Sequence, residues 1–285
     1  MNTDTETLDR NADQIVQEIG IPPCPAILTK MLRETRAEEP DFRRIGQFIG
    51  GDVALASAVL KVANSPFYGL RTKAASVQQA LALLGLTTVT QLVTGLLLRQ
   101  AFSGAAGPGM ERYWKTSMAT SLISALVCRE TARGDSGVAS TYGLFRDCGM
   151  PVMLQKFPIY ADIFDGSILT PGEPVLEVEN ERYTTNHARV GAQLARSWHL
   201  PESLCFAILH HHDLLYSDEN LAQAEAGALS LIAIGLVAEQ LYCAATGALC
   251  HEWALAGEWA LFELDLTQEK FGAIATRVKT SINNL

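Results

Sequence analysis

Apolar residues recur at three- and four-residue spacing along almost the whole chain, and no segment sustains the apolar–polar alternation of a half-buried strand. That period places the apolar side chains on one face of a helix, so the chain is expected to be all-α. Proline, glycine and small polar residues divide the helices. "IPPCPAILTKMLRE" opens a helix near Pro25, and a second starts after Pro40 with Asp41 as its cap and stops at Gly50-Gly51. A third runs from Asp52 to about Ala63 and is stopped by Asn64-Ser65-Pro66. Helices about Ser76–Leu84 and Thr87–Ala101 follow, then others near 111–133, 137–149, 158–165, 174–197, 201–212, 221–246 and 267–283. "ANSPFYGL" reads as a turn with Phe67 and Tyr68 packed beneath it, and the acidic "GEPVLEVENER" as a solvated helix face.

One stretch, Ala80 to Leu98, carries no charge for 19 residues and is long enough to raise a membrane span. Gly85 followed by Leu-Thr-Thr reads instead as one helix ending and another beginning, with Gln91 and Thr94 diluting the apolar surface, so a buried helix pair is expected. "SGAAGPGM", residues 103–110, concentrates glycine and proline and is the best candidate boundary. The expected division is a polar tail at 1–14, an N-terminal helical subdomain at 15–106, a second helical subdomain at 107–215 and C-terminal helices at 216–285 packed on it.

Charge and cysteine usage exclude several classes. The net charge is −9, and because residues 1–105 hold 10 acidic and 10 basic side chains, the whole excess lies further on. Such a field repels phosphate backbones, so nucleic acid is not expected as a partner. The six cysteines include no C-x-x-C pair and sit in apolar helical contexts, as reduced core thiols do. With a polar, acidic N-terminus unlike a secretory signal, the expected location is cytoplasmic. No phosphate-binding loop, nucleophile elbow or dinucleotide fingerprint occurs.

"IGQFIGGDVALASAVLKVANSPFYGL" and the helix-Gly-helix phrase "ALLGL" closely resemble the HDOD domain, an output domain of bacterial signalling proteins related to the HD metal-dependent phosphohydrolases. The likeness continues through "YWKTSMATS", "YGLFRDCGMPVML" and "NHARVGAQLARSWHLPESLCFAILHHHD", and spans roughly residues 15–215. It implies an N-terminal helical subdomain packed on a degenerate HD-type one. The resemblance also assigns positions. In catalytic relatives the first of these segments supplies a His, the second an adjacent His-Asp pair, and later helices further His and a final Asp. Here the first His position falls at Thr116 and the His of the pair at Arg146, whereas Asp147, His187, His211, His212 and Asp213 keep the residue type.

A hydrolytic cation needs converging lone pairs and an open position for water. Arg146 has five donors, no acceptor and a permanent charge, and a hydroxyl at Thr116 is a weak ligand. No catalytic residue, bound metal or other cofactor is therefore expected. Arg146 is expected to neutralise Asp147 and Asp213 in the metal's place. By itself His187 reads as a hydrogen-bonded core residue, at most one or two of the "HHHD" histidines can share a site, and His199 and His251 read as structural or surface residues. Cys148, beside the Asp147 carboxylate, reads as an inert buried thiol. The function implied is a non-catalytic regulatory adaptor that binds signalling proteins in trans. The alternatives are a metal-dependent phosphohydrolase using Asp147, His187, His211 and Asp213, or a pocket that senses a nucleotide or small anion at Arg146.

Overall fold

A computed structural model describes residues 10–15, 17–18, 24–35, 37–65, 68, 70–102, 108–164, 175–213, 224, 227–248, 250 and 252–282. Among these residues every regular element is helical, as the 3.6-residue period requires. The N-terminal unit has a helical stretch at residues 10–15 and 17–18, with Ala12 and Ile15 buried, and then α1 (Ala26–Thr35), α2 (Phe42–Gly50), α3 (Val53–Ala63) and α4 (Val77–Ala101), with α1, α2 and α3 all packed on α4. Their starts are written in the side chains. Asp41 accepts hydrogen bonds from the amides of Arg43 and Arg44, Asp52 from Leu55, and Ser76 from Gln79, so each satisfies donors that a helix end leaves bare.

The apolar stretch around Gly85 behaves as the sequence indicates. Gly85 takes φ 84° and ψ 162°, a conformation open to glycine and strained for other residues, and it breaks α4 into two segments. The second segment packs on α6 and joins the two halves of the molecule. Pro66, Phe67 and Gly69 of the expected turn, and residues 103–107 of the expected boundary, lie outside the described residues.

The second half contains α5 (Pro108–Thr131), α6 (Ser136–Phe145), α7 (Gly149–Lys156), a 3-10 turn at Pro158–Tyr160, α8 (Ala161–Phe164), α9 (Val175–Tyr183), α10 (His187–Ser197), α11 (Glu202–His210), α12 (Ala228–Thr246), α13 (Trp253–Glu263) and α14 (Gln268–Ile282). Helix α12 is its hub, with α5, α6, α11, α13 and α14 against it. By length and composition α12 and α4 could each cross a membrane, but α12 buries Leu231, Ile232, Ile234, Val237 and Leu241 against these neighbours. One continuous apolar core runs through both halves, from Leu28 and Ile49 through Leu92 and Leu144 to Ile234 and Ile274.

Three expectations need correction. The helix expected over 137–149 is two helices, separated by a turn at Arg146, Asp147 and Cys148. The helix expected over 174–197 breaks at Thr184–Asn186, where Thr184 adopts φ 54° and the Asn186 side chain caps α10 through the amide of Arg189. Helix α13 was not expected, because its apolar residues run round the helix with little periodic contrast.

A close helix crossing lies beside the Asp147 turn. A Cβ on Gly149 would stand 1.9 Å from the carbonyl oxygen of His187 and 2.7 Å from the amide nitrogen of Gly191, so α7 and α10 touch backbone to backbone. Neither group can swing away as a side-chain tip can. Gly149→Ala is therefore expected to cost at least about 3 kcal/mol, the upper end for overpacking, whereas Gly191→Ala, whose Cβ would meet its neighbours at 3.2–3.3 Å, should cost less. Urea denaturation of the two variants measures the difference.

Candidate metal centre

Four side chains converge where α7, α10 and α11 meet. One ligand atom from each of Asp147, His187, His211 and His212 lies within 4.8 Å of every other. Asp147 comes from the turn before α7, His187 opens α10, and His211 and His212 follow the last residue of α11. His211 and His212 both reach the cluster because α11 ends at His210 and the chain turns there, which removes the angular offset of adjacent helical residues.

Each imidazole is held from behind. Glu179, fully buried on α9, accepts from the backbone amide of His187 at 2.8 Å and from its Nδ1 at 2.8 Å, and also from the Tyr160 hydroxyl at 2.5 Å. His211 Nδ1 donates to the carbonyl of Ile208 at 2.7 Å. His212 Nδ1 pairs with Glu252. With each Nδ1 spent on an acceptor, the tautomer these partners select leaves the Nε2 lone pairs pointing inward, as ligating histidines are prepared elsewhere.

The inward contacts conflict unless a positive charge is shared. His187 Nε2 and His212 Nε2 are 3.1 Å apart, and His211 Nε2, which makes no hydrogen bond, lies 3.3 Å from the Asp147 carboxylate. Burial holds the His211 imidazole down to about 3, so it is neutral and presents a lone pair to that carboxylate. Burial works to raise the Asp147 carboxyl, but Arg146 and then His211 outweigh it and keep it below the usual range. Burial would lower His212; Glu252 overrides it and raises it instead. One proton between His187 and His212 relieves one conflict only. A divalent cation relieves all of them, and three neutral imidazoles with a carboxylate are a donor set suited to zinc or a similar ion. These residues fit a cation, in contrast to the expectation that no metal would find ligands here.

Arg146 does part of what the sequence suggested: against burial its charge holds the Asp147 carboxyl down, but its hydrogen bonds go elsewhere. Its guanidinium gives one N–H to Glu239 at 2.6 Å and another to Glu252 at 3.0 Å, rather than clamping Asp147 and Asp213. Asp213 is turned to His210, 2.6 Å away, and stands outside the cluster, its place taken by His212. The Thr116 hydroxyl donates to the hydroxyl of Tyr242 at 3.3 Å. Of the carboxylates sharing Arg146, Glu252 is held down to about 2, because His212 and Arg146 prevail over burial. Glu239 is pushed up by burial and by the charge of Glu252. Arg146 thus enters the site already neutralised.

Three carboxylates that shape the site escaped the sequence reading. Glu179 lies in the segment taken for a solvated face, and among its described residues Glu177, Glu181 and Arg182 are exposed whereas Glu179 is buried. Glu177 and Glu181 are four apart on one side of α9, and Glu179, between them, points the opposite way; that phase was the available signal. Nothing in the sequence marks Glu239 or Glu252. Cys148 is buried as expected, its thiol raised by burial and by Asp147, and His199 is exposed. His251 lies outside the described residues.

Comparison with known proteins agrees with this architecture. The family model of the HDOD domain matches residues 21–214. An uncharacterised protein of Treponema pallidum is 25% identical over 201 residues, which are 68% of this chain and 39% of that one. A Bacillus subtilis relative, YuxH, is covered over 28% of its length, so the chain spans less than half of these relatives. Among solved structures, an HDOD domain protein of unknown function from Geobacter sulfurreducens superposes with a TM-score of 0.77 at 20% identity, covering 98% of this chain and 96% of that one. A signal transduction protein, so named provisionally, from Marinobacter aquaeolei gives 0.73 at 21% identity, over 99% and 64% of the two chains. A provisionally named phosphohydrolase from Shewanella amazonensis gives 0.70 at 17%, over 93% of each. At these identities the solved structures share the fold.

The titration of His211 gives a pH test. Its folded value is depressed to about 3 from 6.5, so the unfolded chain binds the extra proton first as pH falls. Its contribution is complete above about pH 6.5 and is lost progressively down to about pH 3. His212 shifts upward, so its contribution is already complete below pH 6.5; the lowered carboxylates Asp147, Glu179 and Glu252 add their loss mainly below about pH 4.5, whereas Glu239, pushed up, takes up its proton first in the folded chain and offsets part of the His211 loss above that. Stability measured by urea denaturation in chelator should therefore fall between about pH 6.5 and 4.5 with a slope of less than one proton, and His211→Gln should flatten or reverse that slope.

Proposed function

The chain belongs to the HDOD family, and from that premise we propose that it is a non-catalytic regulatory adaptor of bacterial signalling, acting through contacts with other proteins. Its former catalytic pocket is kept as a closed centre for one cation. The observation that carries this reading is the composition of the pocket: four protein donors, Asp147, His187, His211 and His212, beside Arg146 locked to Glu239 and Glu252. For a tetrahedral ion such as zinc, four protein ligands fill the shell of a structural site, whereas a catalytic zinc site holds three and leaves a place for water; an ion that takes six ligands would keep two places open on the same donors. An anionic substrate seeking the guanidinium would have to displace two carboxylates that already satisfy it. A cation bound here fastens α7, α10 and the end of α11 together, and its binding energy adds to folding energy.

A second reading is a metal-dependent phosphoester hydrolase. It is favoured by the Asp147 side chain, which is 34% exposed and leaves one side of the cluster open to solvent. A bound cation would there supply a polarised water, with Asp147 and the three histidines holding it and Glu179 and Glu252 fixing two of the imidazoles. The solved relative provisionally named a phosphohydrolase makes this the alternative to test.

Metal analysis of protein purified without chelator, coupled to an assay with bis-p-nitrophenyl phosphate, separates the two. The adaptor reading expects about one divalent ion per chain, a lower thermal midpoint after EDTA, and hydrolysis no faster than buffer with zinc, manganese or iron restored. Turnover that EDTA abolishes would establish the hydrolase instead. His187→Ala should bring metal content close to zero, whereas Asp213→Asn should leave it unchanged, the reverse of a site built on the final Asp.

The anchor residues of α12 and α13 give a further expectation. Arg146→Met leaves Glu239 and Glu252 without their cation, and breaking a largely buried pair in this way costs about 3–5 kcal/mol. Denaturation of this variant should show a loss of that order, and restoring neutrality with Glu239→Gln in the same chain should recover part of it.

A further inference from the structure

Glu252 spends its side chain on the cluster and not on its own helix. One carboxylate oxygen, Oε1, pairs with His212 Nδ1, and the other, Oε2, accepts from Arg146 at 3.0 Å. The residue stands at the N-cap of α13, yet its side chain makes no bond to the helix it opens. Asp41, Asp52, Ser76, Asp135 and Asn186, at the same position of other helices, all accept from amides of their own first turn. Helix α13 is otherwise lightly anchored. The residues it buries are Ala256, Gly257 and Ala260, which remove little apolar area from water, whereas Leu255 and Phe262 are 70% and 85% exposed. Trp253 stacks on Phe271, ring centroids 5.3 Å apart, but Trp253 and Trp259 are only half-buried. The contacts of Glu252 are thus a substantial part of what seats the first turn of α13.

The other end of the link is His212. An imidazole that gives its Nε2 lone pair to a cation is a stronger donor at Nδ1, and an acceptor behind Nδ1 makes Nε2 the better ligand. A cation at the cluster and Glu252 in place therefore favour one another. Arg146 has a second carboxylate in Glu239, 2.6 Å away, so withdrawal of Glu252 leaves the guanidinium paired and falls mainly on His212.

We propose that Glu252 is a positioning residue that couples the cation site to the seating of α13. With a cation bound, Glu252 is held and the first turn of α13 stays down; when α13 lifts, His212 loses its orientation and the cation is held less tightly. The inference rests on the reading of the cluster as a cation site. By linkage the two effects are equal: if the seated form binds a cation more tightly by some factor, a saturating cation suppresses the release of α13 by that same factor. Loss of the acceptor behind a ligating histidine weakens metal binding about 10–100-fold, which sets the expected size. Because Glu252 lies beyond residue 214, this places control of the pocket in the part of the chain outside the match to the family model.

The test uses the full chain with zinc as the probe. Zinc affinity is measured by competition with a chromophoric chelator. Amide hydrogen exchange over Trp253–Glu263 is followed by mass spectrometry in zinc and in EDTA, with Phe42–Gly50 of the N-terminal unit as internal reference. In the wild type, zinc should slow exchange over α13 about 10–100-fold more than over the reference. Glu252→Ala, checked for native helicity by circular dichroism, should weaken zinc binding by that factor and abolish the difference. Glu252→Gln keeps an acceptor oxygen and should recover part of the affinity, a rescue that a purely structural role would not give. Glu263→Ala removes the bond from the far end of α13 to Ser230 and should leave zinc affinity unchanged. Zinc bound as tightly by Glu252→Ala as by the wild type, or wild-type exchange over α13 indifferent to zinc, would overturn the coupling and leave the cation reading standing. If Glu252→Ala does not fold, the wild-type exchange decides. A wild type that binds no zinc would overturn both.

Discussion

Imidazole lone pairs and a carboxylate cannot face one another in a buried space unless something positive is shared among them. That constraint governs the second half of the molecule. His187, His211 and His212 are each fixed at Nδ1 by an acceptor, so none can turn its lone pair away without abandoning a buried partner. The acceptors are themselves committed: Glu179 also accepts from Tyr160 and from a backbone amide, and Glu252 also binds Arg146. The geometry is thus set by hydrogen bonds outside the cluster, which is how a metal centre keeps its donors convergent before the ion arrives.

The charge balance explains why the chain continues past the part that matches the family model. Asp147, Glu179, Glu239 and Glu252 surround the pocket, against one guanidinium and whatever positive charge the histidines share. Two of those carboxylates, Glu239 and Glu252, lie beyond residue 214, on α12 and just before α13. Without them Arg146 would be a buried, unpaired cation beside the histidines, and His212 would lose the acceptor that orients it. The C-terminal helices therefore belong to the pocket electrostatically, and α12 also belongs to it as the apolar hub of this half.

Much of this was legible in the residues, and the failures have physical reasons. Caps at Asp41, Asp52 and Ser76 and the break at Gly85 act within a few residues, so local chemistry located them. Asp147, His187, His211 and His212 were singled out by residue type and by the family likeness. What could not be read was pairing over long separations. Arg146 and Glu252 are 106 residues apart and His212 and Glu252 are 40, with no local pattern to announce either contact. Arg146 consequently looked like a substitute ion for Asp147 and Asp213, when its partners were still to come in the chain. Helix α13 escaped notice for a related reason, since it presents apolar residues on both its buried and exposed sides, Leu255 and Phe262 among the latter.

The position of the cluster bears on what its survival means. Asp147 and His187 flank the crossing where Gly149 meets the backbone of α10, so these donors ride on a backbone-to-backbone contact between two helices. Selection for packing alone would hold these side chains near one another, and converging donors are for that reason poor grounds for inferring turnover. Coordination is the better guide. With a tetrahedral ion a third histidine would fill the fourth place, with a six-coordinate one two places would stay open to water, and in either case the neighbouring guanidinium is engaged by two carboxylates. Either ion would draw α7, α10 and the end of α11 together, so the number of ligands it takes, and not the convergence of donors, decides between fastening helices and activating water.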